Sequence, residues 1–206
     1  MSSILLATRN AHKTREFAAL LGPAFPVTDL TSADHLPVVE ETGATFAENA
    51  ILKATTISRL VGETVVADDS GLEVTSLGGA PGVYSARYAA TAATDEQNVI
   101  KLLAALRERG AGMKERKAQF RCVLALARKG ETIGLFDGTV HGHVAHAPTG
   151  VAGFGYDPVF VPEGYDRTFA ELGDTVKNKI SHRARAVAKL RDYLFEKEKG
   201  GEIRRP

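Results

Sequence analysis

The chain has 206 residues, 44% hydrophobic and 25% charged, with 26 Lys and Arg against 25 Asp and Glu. That length reads as one domain or two tightly associated lobes, at about 100–200 residues per domain, and the composition excludes disordered, collagen-like and disulfide-scaffold classes. Near-neutral charge argues against a wholesale nucleic-acid surface, the single cysteine has no internal disulfide partner, and no apolar run approaches the ~20 residues of a membrane helix.

Ser3 to Ala7 is a short apolar run that reads as a buried strand. A helix is predicted from Asn10 to Leu21, with Phe17, Leu20 and Leu21 on one face and Gly22-Pro23 as the stop. Thr45 and Glu48 have capping-box spacing and open a second helix that ends at Gly62. Thr64 to Ala67 is β-rich and is expected to end at Asp68-Asp69-Ser70-Gly71, which places two acids at a strand terminus. Ser76 to Tyr88, with Gly78-Gly79-Ala80-Pro81-Gly82 inside it, reads as too turn-rich for a regular element. Thr94 and Gln97 cap a third helix that stops at Gly110. Phe120, Cys122, Leu124 and Leu126 alternate with Gln119, Arg121, Val123 and Ala125 as in a half-buried strand, and Lys129-Gly130-Glu131 turns it into a second strand from Thr132 to Val144. Gly153 to Pro158 reads as a loop before Val159-Phe160-Val161, and the last helix is expected from about Ser181 to Lys199. A mixed α/β fold on a long central sheet follows, with 1–199 as one domain and 200–206 as a tail.

Chemistry concentrates in a few stretches. Thr8, Arg9, Asn10, Ala11, His12 and Lys13 sit at a strand-to-helix junction, where free N–H groups and the helix dipole favour a phosphate. The same residues also suit an ordinary Asn N-cap beside a surface lysine. No Gly-x-x-x-x-Gly-Lys-[Ser/Thr] occurs, so a P-loop NTPase is excluded. Two adjacent carboxylates at a strand end, Asp68 and Asp69, cannot both be buried unpaired; neighbouring strand residues point to opposite faces, so one would meet a ligand while the other braces the loop. Hard oxygen donors on a phosphate substrate point to Mg2+, with Glu40 and Glu41 as the second source of ligands; a plain polar turn is the alternative. Phe154, Gly155, Tyr156 and Asp157 set two aromatics around a glycine, either a clamp for a planar base or core packing. Lys177 is a phosphate candidate, and His182 and Arg183 are donors at a helix start whose positive charge opposes the dipole. From 167 to 206 there are eleven Lys and Arg against six Asp and Glu, a basic end that fits either a phosphorylated ligand or a solvated helix. His141 and His143 share a strand face while His146 falls on the other, so a zinc site is not expected there.

Taken in order, these stretches resemble the inosine/xanthosine triphosphate pyrophosphatase family. The matching pieces are Leu6 to Lys13, Glu40-Glu41-Thr42-Gly43, Phe46 to Ala50, Ala67 to Leu72, Leu77 to Tyr88, Gly153 to Pro158, and Ser181-His182-Arg183, and they span nearly the whole chain. The resemblance implies an elongated two-lobed α/β fold with the nucleotide in a cleft between lobes. It also implies an enzyme, usually homodimeric, that hydrolyses ITP, dITP and XTP to monophosphate and pyrophosphate with Mg2+; the lone cysteine and the lack of a membrane run point to a cytoplasmic location. Carried over residue by residue, Thr8 to Lys13 bind the phosphates and Asp69 is the proton acceptor. Glu40 or its neighbour Glu41, with Asp69, holds the metal. Ser70, Phe154, Gly155, Tyr156, Asp157, Lys177, His182 and Arg183 contact the nucleotide. Arg9 stands where many members have Gly, and either narrows the phosphate loop or adds a contact. The rival readings are a Maf-type pyrophosphatase for pyrimidine or modified nucleotides, and a non-catalytic nucleotide- or RNA-binding module using the basic end of the chain.

Overall fold

A computed structural model describes residues 3–110 and 112–199; the expected tail, 200–206, lies outside them. The described residues form six strands and five α-helices in a mixed α/β arrangement. The strands are β1 (Ile4–Leu6), β2 (Val27–Thr28), β3 (Thr64–Val74), β4 (Lys117–Arg128), β5 (Glu131–Val144) and β6 (Phe160–Pro162), in sheet order β2-β1-β3-β4-β5-β6. β1 runs parallel to β2 and to β3, with Leu6 opposite Val66, and β6 runs antiparallel to β5, with His143 opposite Val161. Lys129-Gly130 is the two-residue turn of the predicted hairpin.

The helices are α1 (Ala11–Leu21), α2 (Phe46–Val61), α3 (Asp95–Glu108), α4 (Phe169–Ile180) and α5 (His182–Lys199). Asn10 caps α1, accepting from the N–H groups of His12 and Lys13. Both predicted capping boxes form, Thr45 with Glu48 and Thr94 with Gln97. A third, Thr168 with Glu171, starts α4, a helix the sequence reading did not contain. Gly173 inside α4 is non-helical (φ 71, ψ 178), so the apolar spacing is broken mid-element and the periodic signal is lost. Ser181, extended at φ −65 and ψ 160, separates α4 from α5, and the last helix therefore starts at His182. No helix among the described residues is long and apolar enough to cross a membrane.

The chain divides into two compact units. The first holds β1, β2, α1, α2, β3 through Asp69, Cys122–Gly138 and α5 from Arg183. Its core joins Ile4, Leu6 and Val66 to Phe17 and Leu21 of α1, Cys122, Leu124 and Leu126 of β4, and Val187, Leu190 and Leu194 of α5. The expected alternation in β4 fails here, because every residue from Cys122 to Ala127 is buried. Both faces of the strand are covered: α1 and α5 pack on one, and α2 approaches the other, where Ser58 Oγ accepts from the Gly130 N–H at 3.0 Å.

The second unit runs Ser70–Arg121 and Thr139–His182. Leu72, Val74, Val99, Leu102, Leu106, Phe120, Tyr156, Phe160 and Phe169 build its core. The turn-rich stretch is more regular than expected, since Thr75–Leu77 and Gly82–Arg87 are 3-10 helical turns.

Candidate active site

Asp68 and Asp69 do not end their strand; β3 continues through them to Val74, and both side chains are buried. What lets a strand carry two acids inside a core is the alternation of its faces, with a separate cation on each. Asp68 faces α1 and α5: it accepts from Lys13 Nζ, and from Arg183 Nε at 2.9 Å. Arg183 Nη1 also meets Glu16 Oε2 at 2.5 Å. Burial alone would raise the Asp68 carboxyl, but the Arg183 and Lys13 charges outweigh it and hold it well below the ordinary range. These carboxylates also offset the basic start of α5, which otherwise opposes its dipole.

Asp69 faces α2. Lys53 Nζ lies 3.0 Å from Asp69 Oδ1, 2.7 Å from Glu41 Oε1 and 2.8 Å from the Asp68 carbonyl oxygen. Asn49 Nδ2 donates to Asp69 Oδ2 at 3.3 Å. Burial pushes the Asp69 carboxyl up to about 6, reinforced by Glu41 and opposed by Lys53 and Lys13. Lys53 moves up in turn: burial would lower it, but Asp69 and Glu41 overcome that. Three oxygens converging on one ammonium form a cation-binding arrangement of hard donors. Glu41 belongs to it, whereas Glu40 is exposed and makes no ion pair among the described residues.

At the start of α1, Asn10 Oδ1 takes the N–H groups of His12 and Lys13, and Thr8 Oγ1 accepts from the Asn10 N–H at 3.1 Å. Among the described residues, the N–H groups of Arg9 and Ala11 have no hydrogen-bond acceptor. The Arg9 side chain donates to the carbonyls of Leu36 at 2.7 Å and Ala33 at 3.2 Å, so it ties down the 33–36 segment.

The second unit gathers another set. Asp157, 2% exposed, accepts from the Phe154 N–H at 2.8 Å and from Lys177 Nζ at 2.5 Å. Lys177 of α4 also lies 4.6 Å from the centre of the half-buried Phe154 ring. Gly153 (φ 78) leaves the space that the Asp157 carboxyl fills, where any Cβ would collide with it. The Gly155 N–H donates to Asp95 Oδ2 at 2.6 Å. Tyr156 packs in the core with its hydroxyl donating to the Ser85 carbonyl at 2.9 Å, so of the two expected clamp aromatics only Phe154 keeps an accessible face. The buried His182 ring stacks on Phe120 at 4.7 Å, and Ser70 follows Asp69 on β3, half-buried.

The structure thus brings together Lys13, Asp68 and Arg183, then Asp69 with Glu41, and separately Phe154, Asp157 and Lys177. Sequence reasoning missed Glu16, Asn49, Lys53 and Asp95. Asn49 and Lys53 were discoverable: they stand one helical turn apart on α2, the first helix after Glu40-Glu41. No three His, Cys, Asp or Glu side chains among the described residues form a ready metal cage.

The model of the Ham1 family matches residues 4–193. The chain is 49% identical over 195 residues to the dITP/XTP pyrophosphatase of Bacillus licheniformis, which spans 94% of this chain and 98% of that protein. It is 48% identical over 205 residues to the dITP/XTP pyrophosphatase of Geobacillus kaustophilus, 99% of each. Among solved structures, a HAM1 protein from Coxiella burnetii has a TM-score of 0.85 at 40% identity, covering 95% of this chain and 100% of that one. The Staphylococcus aureus Ham1 protein gives 0.83 at 41% identity, with the same coverage.

Proposed function

Because the chain belongs to the Ham1 family, we propose that it is a pyrophosphatase for deaminated purine nucleoside triphosphates, dITP, ITP and XTP, with Asp69 as the proton acceptor. The observation that carries this reading is a buried carboxyl pushed up to about 6 beside a converging set of oxygen donors. A general base works best with its pKa near the operating pH. The donor set also fits Mg2+, which is held by one or two carboxylates and the substrate phosphates rather than by a full protein cage. Asp69 and Glu41, with the adjacent Glu40, would hold the ion, which supplies positive charge to the triphosphate. Water attacks the α-phosphorus, Asp69 takes its proton, and the bond to the bridging oxygen breaks as pyrophosphate leaves.

Thr8 to Lys13 bind the phosphates in this reading, supported by the Arg9 and Ala11 N–H groups at a helix N-terminus. Phe154 stacks on the base, Lys177 is oriented by Asp157, and Ser70, Gly155 and Tyr156 complete the nucleotide contacts. His182 and Arg183 donate to the 6-oxo group that distinguishes hypoxanthine and xanthine from adenine. A homodimer belongs to the same proposal and rests on family likeness, and a cytoplasmic location belongs to it on the single buried cysteine.

The test is pyrophosphate release from dITP, XTP, GTP and ATP, with and without Mg2+, for the wild type and Asp69→Asn. Metal-dependent release from dITP and XTP, lost by about 10²–10⁴ in the variant, is expected. Retention of more than a tenth of the turnover by Asp69→Asn removes Asp69 from that role.

A further inference from the structure

Asn49 lies near the start of α2, has no exposed surface, and takes no part in the roles assigned above. Its Oδ1 accepts from the Gly43 N–H at 2.7 Å, and its Nδ2 donates to Asp69 Oδ2 at 3.3 Å. One side chain therefore joins the backbone just after Glu40-Glu41-Thr42 to the buried carboxylate on β3. That link needs a donor and an acceptor on one short group: an ammonium has no acceptor and an ionised carboxylate no donor, while a carboxamide has both.

The approach is as close as the chain allows. A Cβ at Gly43 would stand 2.6 Å from Cβ of Glu48 and 2.8 Å from Asn49 Oδ1. Lys53, one turn further along the same helix face, holds the other oxygen of Asp69 together with Glu41. Asp69 is thus gripped at Oδ1 by Lys53 and at Oδ2 by Asn49, and both grips extend to the acidic segment.

We propose that Asn49 is a positioning residue that sets the spacing between the Glu40–Thr42 segment and Asp69 by bonding to Asp69 and to the Gly43 N–H that directly follows the segment. This inference rests on the reading of Asp69 as proton acceptor and cation ligand. A buried amide that serves only the fold would, when replaced, lower stability and leave the turnover of the folded enzyme alone.

Two variants separate the halves of the link. Asn49→Asp keeps an acceptor for the Gly43 N–H but sets a carboxylate against Asp69; Asn49→Ala removes both bonds. In both, kcat for pyrophosphate release falls about ten- to a hundredfold, the range for losing a hydrogen bond to a charged group, while KM for the nucleotide stays within threefold. Hydrogen exchange at the Gly43 amide speeds up at least tenfold in Asn49→Ala and stays near wild type in Asn49→Asp. A third measurement leaves Asn49 in place: in Asp69→Asn, the side-chain amide NMR signals of Asn49 move from their wild-type positions. Folded Asn49 variants with kcat within threefold of wild type, or unmoved Asn49 signals, overturn the proposal. Failure of the underlying reading looks different: Asp69→Asn itself stays active, while the NMR and exchange results still report whether Asn49 ties Gly43 to position 69.

Discussion

Arg183→Met tests whether the buried charge cluster on β3 is what lets an acidic strand exist inside a core. Methionine keeps the unbranched stem and removes the guanidinium. The side chains of Arg183 and Asp68 are 1% and 0% exposed, and Glu16 is 12% exposed. The variant takes from Asp68 the guanidinium that pairs with it beside Lys13, and strips Glu16 of the Nη1 contact. Breaking a buried pair from one side costs about 3–5 kcal/mol, and a chain of this size shifts about 2–4 °C in Tm per kcal/mol, so a fall of roughly 6–20 °C is expected. Thermal melting followed by circular dichroism at neutral pH reads it. The double variant Asp68→Asn/Arg183→Met removes both of the fully buried charges and leaves only the more exposed Lys13 and Glu16, and it regains at least half of the loss. A single variant that melts within about 2 °C of wild type, or a double variant that melts lower still, refutes the reasoning. The ITP-to-ATP ratio of kcat/KM, taken well below the variant's Tm, reads the proposed base contact separately and is expected to drop about ten- to a hundredfold.

Asp69, raised from 3.8 to about 6, makes the stability of the metal-free protein depend on pH. The raised value favours the folded protein when protonated, a contribution complete below the ordinary carboxylate value and lost as pH rises through about 6; Asp69→Asn therefore gains Tm relative to wild type between about pH 4 and 6, and a constant difference counts against it. Lys13→Met weakens binding of ITP far more than of inosine in a calorimetric titration, because the charge removed sits at a helix start that favours phosphate; equal losses sink that assignment. Thr168→Ala removes the capping box of α4 and costs about 1 kcal/mol, roughly 2–4 °C in Tm; an unchanged melting curve would falsify the view that this cap holds the helix carrying Lys177.

What was legible in the sequence was local. The boxes at Thr45–Glu48 and Thr94–Gln97 were readable because a side chain meets a backbone N–H three residues away, whatever the rest of the chain does. The box at Thr168–Glu171 was equally present, but Gly173 interrupts the period that would have extended it into a helix. Asp68-Asp69-Ser70-Gly71 reads as a strand end because the β-rich run stops there and two adjacent acids call for a cation or solvent. The cations that permit them there come from positions 13, 53 and 183, and no window along the chain contains all three. The ordered motifs pointed to the family, whereas the partner of each charge emerged only from the fold. Tyr156 illustrates the gap: its place beside Phe154 suggested a pair of stacking rings, yet its hydroxyl finds Ser85, 71 residues earlier.

Cys122 gives the first unit a built-in clock. Its Sγ donates to Asp68 Oδ2 at 3.2 Å, it has no exposed surface, and burial together with the Asp68 charge pushes its thiol well above the ordinary value. A thiol that is neither ionised nor reachable does not react with an alkylating reagent. Modification must wait until the sheet parts from α1 and α5, and the chain has no other cysteine to confuse the signal. The rate at which a thiol reagent consumes the folded protein therefore counts openings of that core under native conditions, without denaturant or an introduced label.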